Sequence, residues 1–464
     1  MKTRLSSLRR DSGSTYMTVV ITMIVVGAML AAYLQMVSVQ NQFTMRSQTW
    51  NRSVPVLEAG VEEAMAHLNK NAAADDTGTF VVNLTADGWQ SAAGGGWYKV
   101  AQIGEDFYYT KITSFTPGTV GYYPFIQSVG YVKQLPTLSW RRTAGPFLAA
   151  VSLDQLLSSS SYSKRTVMAG TTNVPTFSKA LVAKHGIDLN GNNVATDSYD
   201  SKIPAYNTLG RWDVSKRRDH GDVASNDTVT NSVNVGNANI WGRVSTGPRG
   251  TVSVGSNGKV GDAAWQARSD TAGKIEPGFS TDDMNVQFPD VRMPSGSGAW
   301  VISAGSGVLT SGDYLVPGSV NGSITIAANA TVRLRVDGGW SFNGNSGLTI
   351  SSNAHLTVYL NCPSANIQGN GIINSYGTPD QCYIYGTSRL TSLDMGGNGE
   401  ATCAVYAPSA DVTLHGGGNS DQDFSGALIA NTFRFVGHYL IHYDEALGRN
   451  GLYRGYTLTS WNEQ

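Results

Sequence analysis

Cysteine is nearly absent from the 464 residues: Cys362, Cys382 and Cys403 are the only three. An odd count excludes a fully paired disulfide framework, and the lack of any C-x-x-C excludes the common zinc and dithiol signatures. Charge is scarce as well. Charged residues make up 14% of the chain, fewer than in an ordinary soluble domain, and they nearly cancel to a net charge of −1. No global basic field exists to gather nucleic acid, so no nucleic-acid partner is expected. No P-loop, zinc motif or Ser-His-Asp order stands out, and neither a metal nor a cofactor is expected. Glycine, by contrast, is plentiful at 53 residues, and with many Ser, Thr and Asn it points to short strands and tight turns in a mainly β body.

One apolar run breaks this texture. From Tyr16 to Val39 there is no charged side chain, and Lys2, Arg4, Arg9 and Arg10 precede it. A secretory signal has a shorter apolar core and a small-residue cleavage site, which "AMLAAYLQM" does not offer. A twin-arginine signal is a further alternative, but Asp-Ser-Gly follows Arg9 and Arg10. A membrane-spanning helix needs about 20 apolar residues, which this segment supplies. The preceding basic cluster keeps the N-terminus cytoplasmic, so the chain after about residue 40 is expected outside the bacterial inner membrane, periplasmic or extracellular. The run continues as an amphipathic helix. Val54, Leu57, Val61, Met65 and Leu68 fall on one face at spacings of three and four, with Glu58, Glu62 and Glu63 largely off it. Pro55 interrupts the pattern and is expected to bend the axis.

The order of these features resembles the N-terminus of type IV pilin-like proteins, and in particular the PilX-type minor pilins. The likeness rests on the basic leader ending in "RRDSG", the apolar helix directly after it and the extension "VLEAGVEEAMAHL". It implies processing between Gly13 and Ser14 by a prepilin peptidase, with the apolar helix retained. Major pilins place a glutamate five residues after the cut, and Thr18 stands there in this chain. The domain reading is a leader over 1–13, a transmembrane helix over 14–39, a stalk helix over 40–71 and a pilin-like antiparallel β meander over 72–152. The meander reading comes from short aromatic and β-branched runs such as "GWYKVAQI" and "DFYYTKITSF". Trp89, Trp97, Tyr108 and Tyr109 are read as core rather than as a binding face. Residues 153–177, with "LLSSSSYSKR", read as a linker.

Beyond the linker a short phrase ending in glycine returns. It closes at Gly191, Gly242, Gly344, Gly369, Gly396, Gly416 and Gly437, and the last intervals are 25, 27, 20 and 21 residues. A period of this length with two or three short strands per unit predicts a right-handed parallel β-helix-like solenoid over 178–448, with 449–464 as a C-terminal tail. A β-sandwich or jelly roll is the alternative. Cys362, Cys382 and Cys403 then lie about one turn apart and are expected as stacked core residues, with a disulfide among them open as to pairing.

Because such folds host lyases and glycosidases, the acids Asp188, Asp197, Asp200, Asp421, Asp423, Asp444 and Glu445 are the candidates for catalysis. Most stand beside Gly or Asn, where aspartate forms turns. "GGGNSDQD" (416–423) carries a weak likeness to calcium-binding glycine-aspartate repeats, with Asn419 where glycine is required. Strand alternation puts Leu440, His442 and Asp444 on one face of "LIHYDE". With Leu440 inward, His442 and Asp444 form a hydrogen-bonded pair capping the last turn of the solenoid, and Asp444→Asn is expected to lower stability. With Ile441 and Tyr443 inward, the pair is exposed. The C-terminal body, through "NIWGRVSTGPRGTVSVGSNGKVGD" and "GALIANTFRFVGHYLIHYDEAL", also resembles an uncharacterised β-rich domain found behind PilX-type N-termini. Taken together these features predict a minor pilin-like or pseudopilin-like envelope component rather than an enzyme. Its expected partners are the inner membrane, pilin-like subunits with their assembly machinery and, in adhesion, surface carbohydrate. A membrane-anchored carbohydrate-active enzyme is the alternative.

Overall fold

A computed structural model describes residues 12–70, 84–92, 95–113, 123–133 and 162–463, the last span with gaps at 192, 292, 294–299, 304, 343, 369, 375–376, 398–399, 417–422 and 451–452. The chain is mainly β, with one long N-terminal helix and a β-rich C-terminal body. Most of the leader, and the acid Asp421, lie outside the described residues.

Helix α1 runs unbroken over Ser12–Lys70, about 90 Å at 1.5 Å per residue, and carries Pro55 inside it. Its two halves live in different surroundings. The most apolar window has a mean hydropathy of 2.3 and none of it is buried within the molecule. By length and composition this half is able to cross a membrane, since Tyr16–Val39 alone spans about 36 Å against a hydrocarbon core of about 30 Å. In the second half Leu57, Val61, Ala64 and Leu68 are buried, against Ile112, Ile126, Val167 and Ala169 of a sheet. Two glycines permit this close approach. A Cβ on Gly60 would overlap the hydroxyls of Thr110 and Ser128, and one on Gly130 would lie 2.7 Å from the Ser53 carbonyl.

That sheet is antiparallel, in the order β1 (Gln90–Ser91), β2 (Trp97–Ile103), β3 (Asp106–Thr113), β4 (Phe125–Lys133), β5 (Tyr162–Pro175) and a C-terminal strand, Tyr453–Glu463. Two expectations change here. Most of the supposed linker is the 14-residue strand β5, which buries Val167 and Ala169 under α1. The supposed tail is the edge strand paired with β5. Asn69 at the end of α1 holds it, donating to the Tyr456 carbonyl at 3.0 Å and accepting from the Tyr456 N–H at 2.7 Å. The serines before Tyr162 masked a strand whose inward side chains are small, so composition misled. Trp89 and Tyr108 are buried, Trp97 packs partly buried on the same core, and Tyr109 packs beside Phe107.

The body is built from parallel ladders. Tyr314 pairs with Leu334, Leu334 with Val358, Val358 with Ile384, Ile384 with Val405 and Val405 with Leu428, at sequence offsets of 20, 24, 26, 21 and 23. Equivalent apolar side chains therefore stack along one core. The order of the ladder is not the order of the chain. Leu428–Ala430 pairs on its far side with Leu181–Ala183, which in turn pairs with Val223–Ser225, then Val244–Ser245 and finally Ser280–Thr281. The first body strand thus sits in the middle of the ladder, next to one of the last.

The described ends of that ladder are Ser280–Thr281 and Val301–Ile302, which are near neighbours in sequence. Residues 284–289, which follow the first of these ends, run back along the stack as a strap. Met284 N–H donates to Thr246 O at 2.9 Å, Val286 N–H to Asn226 Oδ1 at 3.0 Å, and Tyr406 OH to Pro289 O at 2.7 Å. Tyr359, Tyr385 and Tyr406 follow one another across adjacent strands, Tyr359 and Tyr385 stacked at 5.5 Å and Tyr385 and Tyr406 tilted at 6.4 Å, and all three are buried. Cys382 and Cys403 lie side by side in adjacent strands, and Cys362 Sγ donates to Ser364 O at 3.3 Å. All three thiols are buried and free.

Candidate functional site

The strand Leu440–Asp444 lies between Phe424–Gly426 and Ala195–Tyr199. It does not close the stack, as the sequence suggests, because the Ala195–Tyr199 rung covers it. Ile441 and Tyr443 face the core. His442 and Asp444 face outward, yet both are buried. The cause is a flap, residues 200–220, that leaves Tyr199, crosses the outer face and returns at Arg218, which exchanges backbone hydrogen bonds with Ser198 at 2.8 and 3.1 Å. Asn207 braces the flap: its amide donates to the carbonyls of Asp200 and Ile203, both at 2.8 Å, and its oxygen accepts from the Gly210 N–H at 2.8 Å.

Under the flap His442 Nδ1 lies 2.6 Å from Asp197 Oδ1. The Trp212 ring stacks on the imidazole at 3.8 Å, and Arg217 Nε is 4.0 Å from Asp197 Oδ2. Burial pushes the Asp197 carboxyl above its ordinary range, against the opposing pull of His442 and Arg217. The expected His442–Asp444 pair is replaced by this one. Asp444 Oδ1 instead accepts from the backbone N–H of Ser201 at 2.9 Å and of Ala446 at 3.1 Å, and Oδ2 is buried with no hydrogen-bond partner among the described residues. Burial pushes its carboxyl up to about 6.

The other acids join the same fabric. Arg449 bonds Asp200, Arg211 bonds Glu400, and Lys202 Nζ lies 3.0 Å from Asp380. Glu445 receives Ser198 at 2.8 Å, Arg218 at 2.5 Å and His220 at 2.9 Å. That last bond raises the His220 pKa, against burial. Asp423 accepts from the Leu440 N–H at 2.9 Å with His438 3.3 Å away, and Asp188 accepts from Asn234 at 2.9 Å. Every ion pair of residues 197–220 with residues 380–449 bridges the seam where the first body strands meet the last. Sequence inspection flags the acids but not the flap that carries Trp212, Arg217 and Arg218.

Ser425, His442 and Asp197 occupy one lateral row across three strands. These are the residue types of a nucleophilic triad, but each is at most 4% exposed and Trp212 covers the imidazole face. In this form the row can hold the seam and admits no substrate. Among the described residues no group of three or more His, Cys, Asp or Glu could hold a metal, and residues 417–422 of the calcium-like motif lie outside them. Gly13 and Ser14 fall in the first turn of α1.

Residues 280–450 match the family model of a domain of unknown function, DUF7305. The match begins at the ladder's end strand, takes in the strap and runs through the strand Leu440–Asp444. The flap and the rung Ala195–Tyr199 lie before it, so the seam joins matched to unmatched chain. No curated protein and no solved structure matches the chain.

Proposed function

We propose that this chain is a minor pilin-like or pseudopilin-like component of the bacterial cell envelope. Helix α1 anchors it in the inner membrane with a cytoplasmic N-terminus, and a right-handed parallel β-helix-like solenoid is displayed outside for pilus assembly or adhesion. The observation that carries this reading is the division of α1. A bare apolar half and a half clamped on an antiparallel sheet are what a subunit needs if one part sits in lipid or a helical bundle and the other carries a folded domain. The solenoid reading is supported by parallel pairing at offsets of 20 to 26 residues, since a sandwich would pair its strands largely antiparallel.

Orientation is tested by cysteine labelling, because the three native thiols are buried and give little background. Ser352 is exposed. A Ser352→Cys variant is expected to react with a membrane-impermeant maleimide once the outer barrier is opened and before the inner membrane is lysed. Labelling only after inner-membrane lysis would place the body in the cytoplasm and end the proposal.

A further inference from the structure

The three cysteines are almost evenly spaced, 20 and 21 residues apart, and spacing alone does not choose a pair. The ladder does. Tyr383 lies opposite Ala404 and Ile384 opposite Val405, an offset of 21, so Cys382 and Cys403, one step earlier, also face each other. Each stands two residues before an apolar core side chain, Ile384 or Val405, so alternation turns both inward, and both are fully buried. Their thiols lie within hydrogen-bonding reach of each other. Cys362 belongs elsewhere. On its other side Cys382 lies opposite Leu356, and the strand holding Leu356 runs on to Leu360, opposite Gly386. From Leu356 to Leu360 is about 13 Å at 3.3 Å per residue. Cys362 follows two residues later, with its Sγ donating to Ser364 O at 3.3 Å. The offset between those two strands is 26, so equal spacing in sequence does not give equal position along the strands.

We infer that Cys382 and Cys403 are a disulfide-forming pair that staples two neighbouring strands of the ladder, with Cys362 left as a thiol. The inference goes beyond the envelope reading and stands on the ladder register, whichever compartment holds the body. Neighbouring strands are about 4.8 Å apart, inside the roughly 4.4–6.8 Å Cα separation that a disulfide bridges. The reaction is exchange with a disulfide donor, such as oxidised glutathione or a disulfide-carrying oxidoreductase. One cysteine attacks the donor as a thiolate, forming a mixed disulfide and releasing the first donor thiolate. The other cysteine then attacks the chain's own sulfur, forming the Cys382–Cys403 bond and releasing the second. Both cysteine protons end on the donor thiols, so two cysteines are oxidised and one donor disulfide is reduced. Burial sets the timing. It holds the Cys403 thiol well above its ordinary range and keeps the donor out, so the bond is made while the strands are still open and is then sealed in the core. The staple sits close to the seam, because Cys403 lies opposite Gly426 and Gly426 opposite Tyr443.

The test uses the full chain in detergent, unfolded in urea and refolded with oxidised or with reduced glutathione. Alkylation in denaturant, then proteolysis and mass analysis without reductant, should show one linked pair of peptides after oxidised refolding. That pair should contain Cys382 and Cys403 and be two hydrogens lighter than the separate peptides, with Cys362 alkylated. A bond to Cys362, three alkylated cysteines, or glutathione retained on Cys382 or Cys403 overturns the inference. The oxidised form should also unfold at a higher urea concentration than the reduced form. Cys382→Ala or Cys403→Ala alone should abolish that difference, and Cys362→Ala should keep it. Equal midpoints for the two forms of the unsubstituted chain, or a difference that survives in Cys403→Ala, would reduce the pair to core packing and overturn the staple.

Discussion

A chain beginning at Thr44 should be soluble without detergent and fully folded, while the complete chain stays with the membrane. The truncation removes the exposed run from Tyr16 to Phe43, which makes no burial inside the molecule. It leaves Leu57, Val61, Ala64 and Leu68 on the sheet. At about 25 cal/mol per Å² of apolar surface, that run is expected to supply the membrane affinity of the complete chain. Cutting further, to start after Lys70, should have the opposite outcome: the sheet loses the face that covers Ile112, Ile126 and Val167, and the product should aggregate. Sedimentation and circular dichroism of the two truncations check both arms. A Thr44 chain that still pellets with membranes, or a post-Lys70 chain that folds normally, would mean that the two halves of α1 do not have the roles assigned to them.

The second large effect is expected at the seam. His442→Ala should cost roughly 3–5 kcal/mol, because it leaves the buried Asp197 carboxyl without its 2.6 Å partner and opens space under Trp212. Asp444→Asn should behave differently, and the geometry reverses the sign that strand alternation alone suggests. Asparagine keeps the oxygen that accepts from Ser201 and Ala446, and it removes a charge from a site where Oδ2 has no partner among the described residues. The sign follows from linkage. A folded-state pKa of about 6, above the unfolded value of about 3.9, gives stability that is complete below the unfolded pKa and lost as pH rises through 6. Asp444→Asn is therefore expected to flatten stability between about pH 4 and 7, and to stabilise at pH 7 by an amount on the order of 1–3 kcal/mol. Denaturant titrations at pH 4 and pH 7 measure it. A loss of stability at pH 7 with unchanged pH dependence would show that the carboxylate form is needed.

The contrast between these two positions shows what sequence can carry. The helix is legible end to end, because its apolar run and its three-four spacing are local patterns that packing does not override. Parallel pairing is legible in part from the return of glycine phrases, whose spacing is close to the 20 to 26 residue offsets between paired strands. The order of the rungs is not. Leu428 beside Leu181 is a pairing between residues far apart in the chain, and nothing in either phrase names the other. The same distance hides the partner of His442, for Asp197 is 245 residues away while Asp444 is two. Alternation correctly places Leu440, His442 and Asp444 on a common face, but whether that face is wet depends on a flap with no periodicity of its own. The strand Tyr453–Glu463 escapes notice for a related reason: its sheet partner, β5, has the composition of a linker.

On the proposed function, the apolar half of α1 is a retained anchor and not a discarded signal. Intact-mass and N-terminal analysis of the membrane-extracted protein tests it most directly. The mature chain is expected to begin at Ser14 and to contain the whole run from Tyr16 to Val39, and a Gly13→Ala variant should keep its leader. A mature chain beginning near residue 33, released from the membrane, would contradict it.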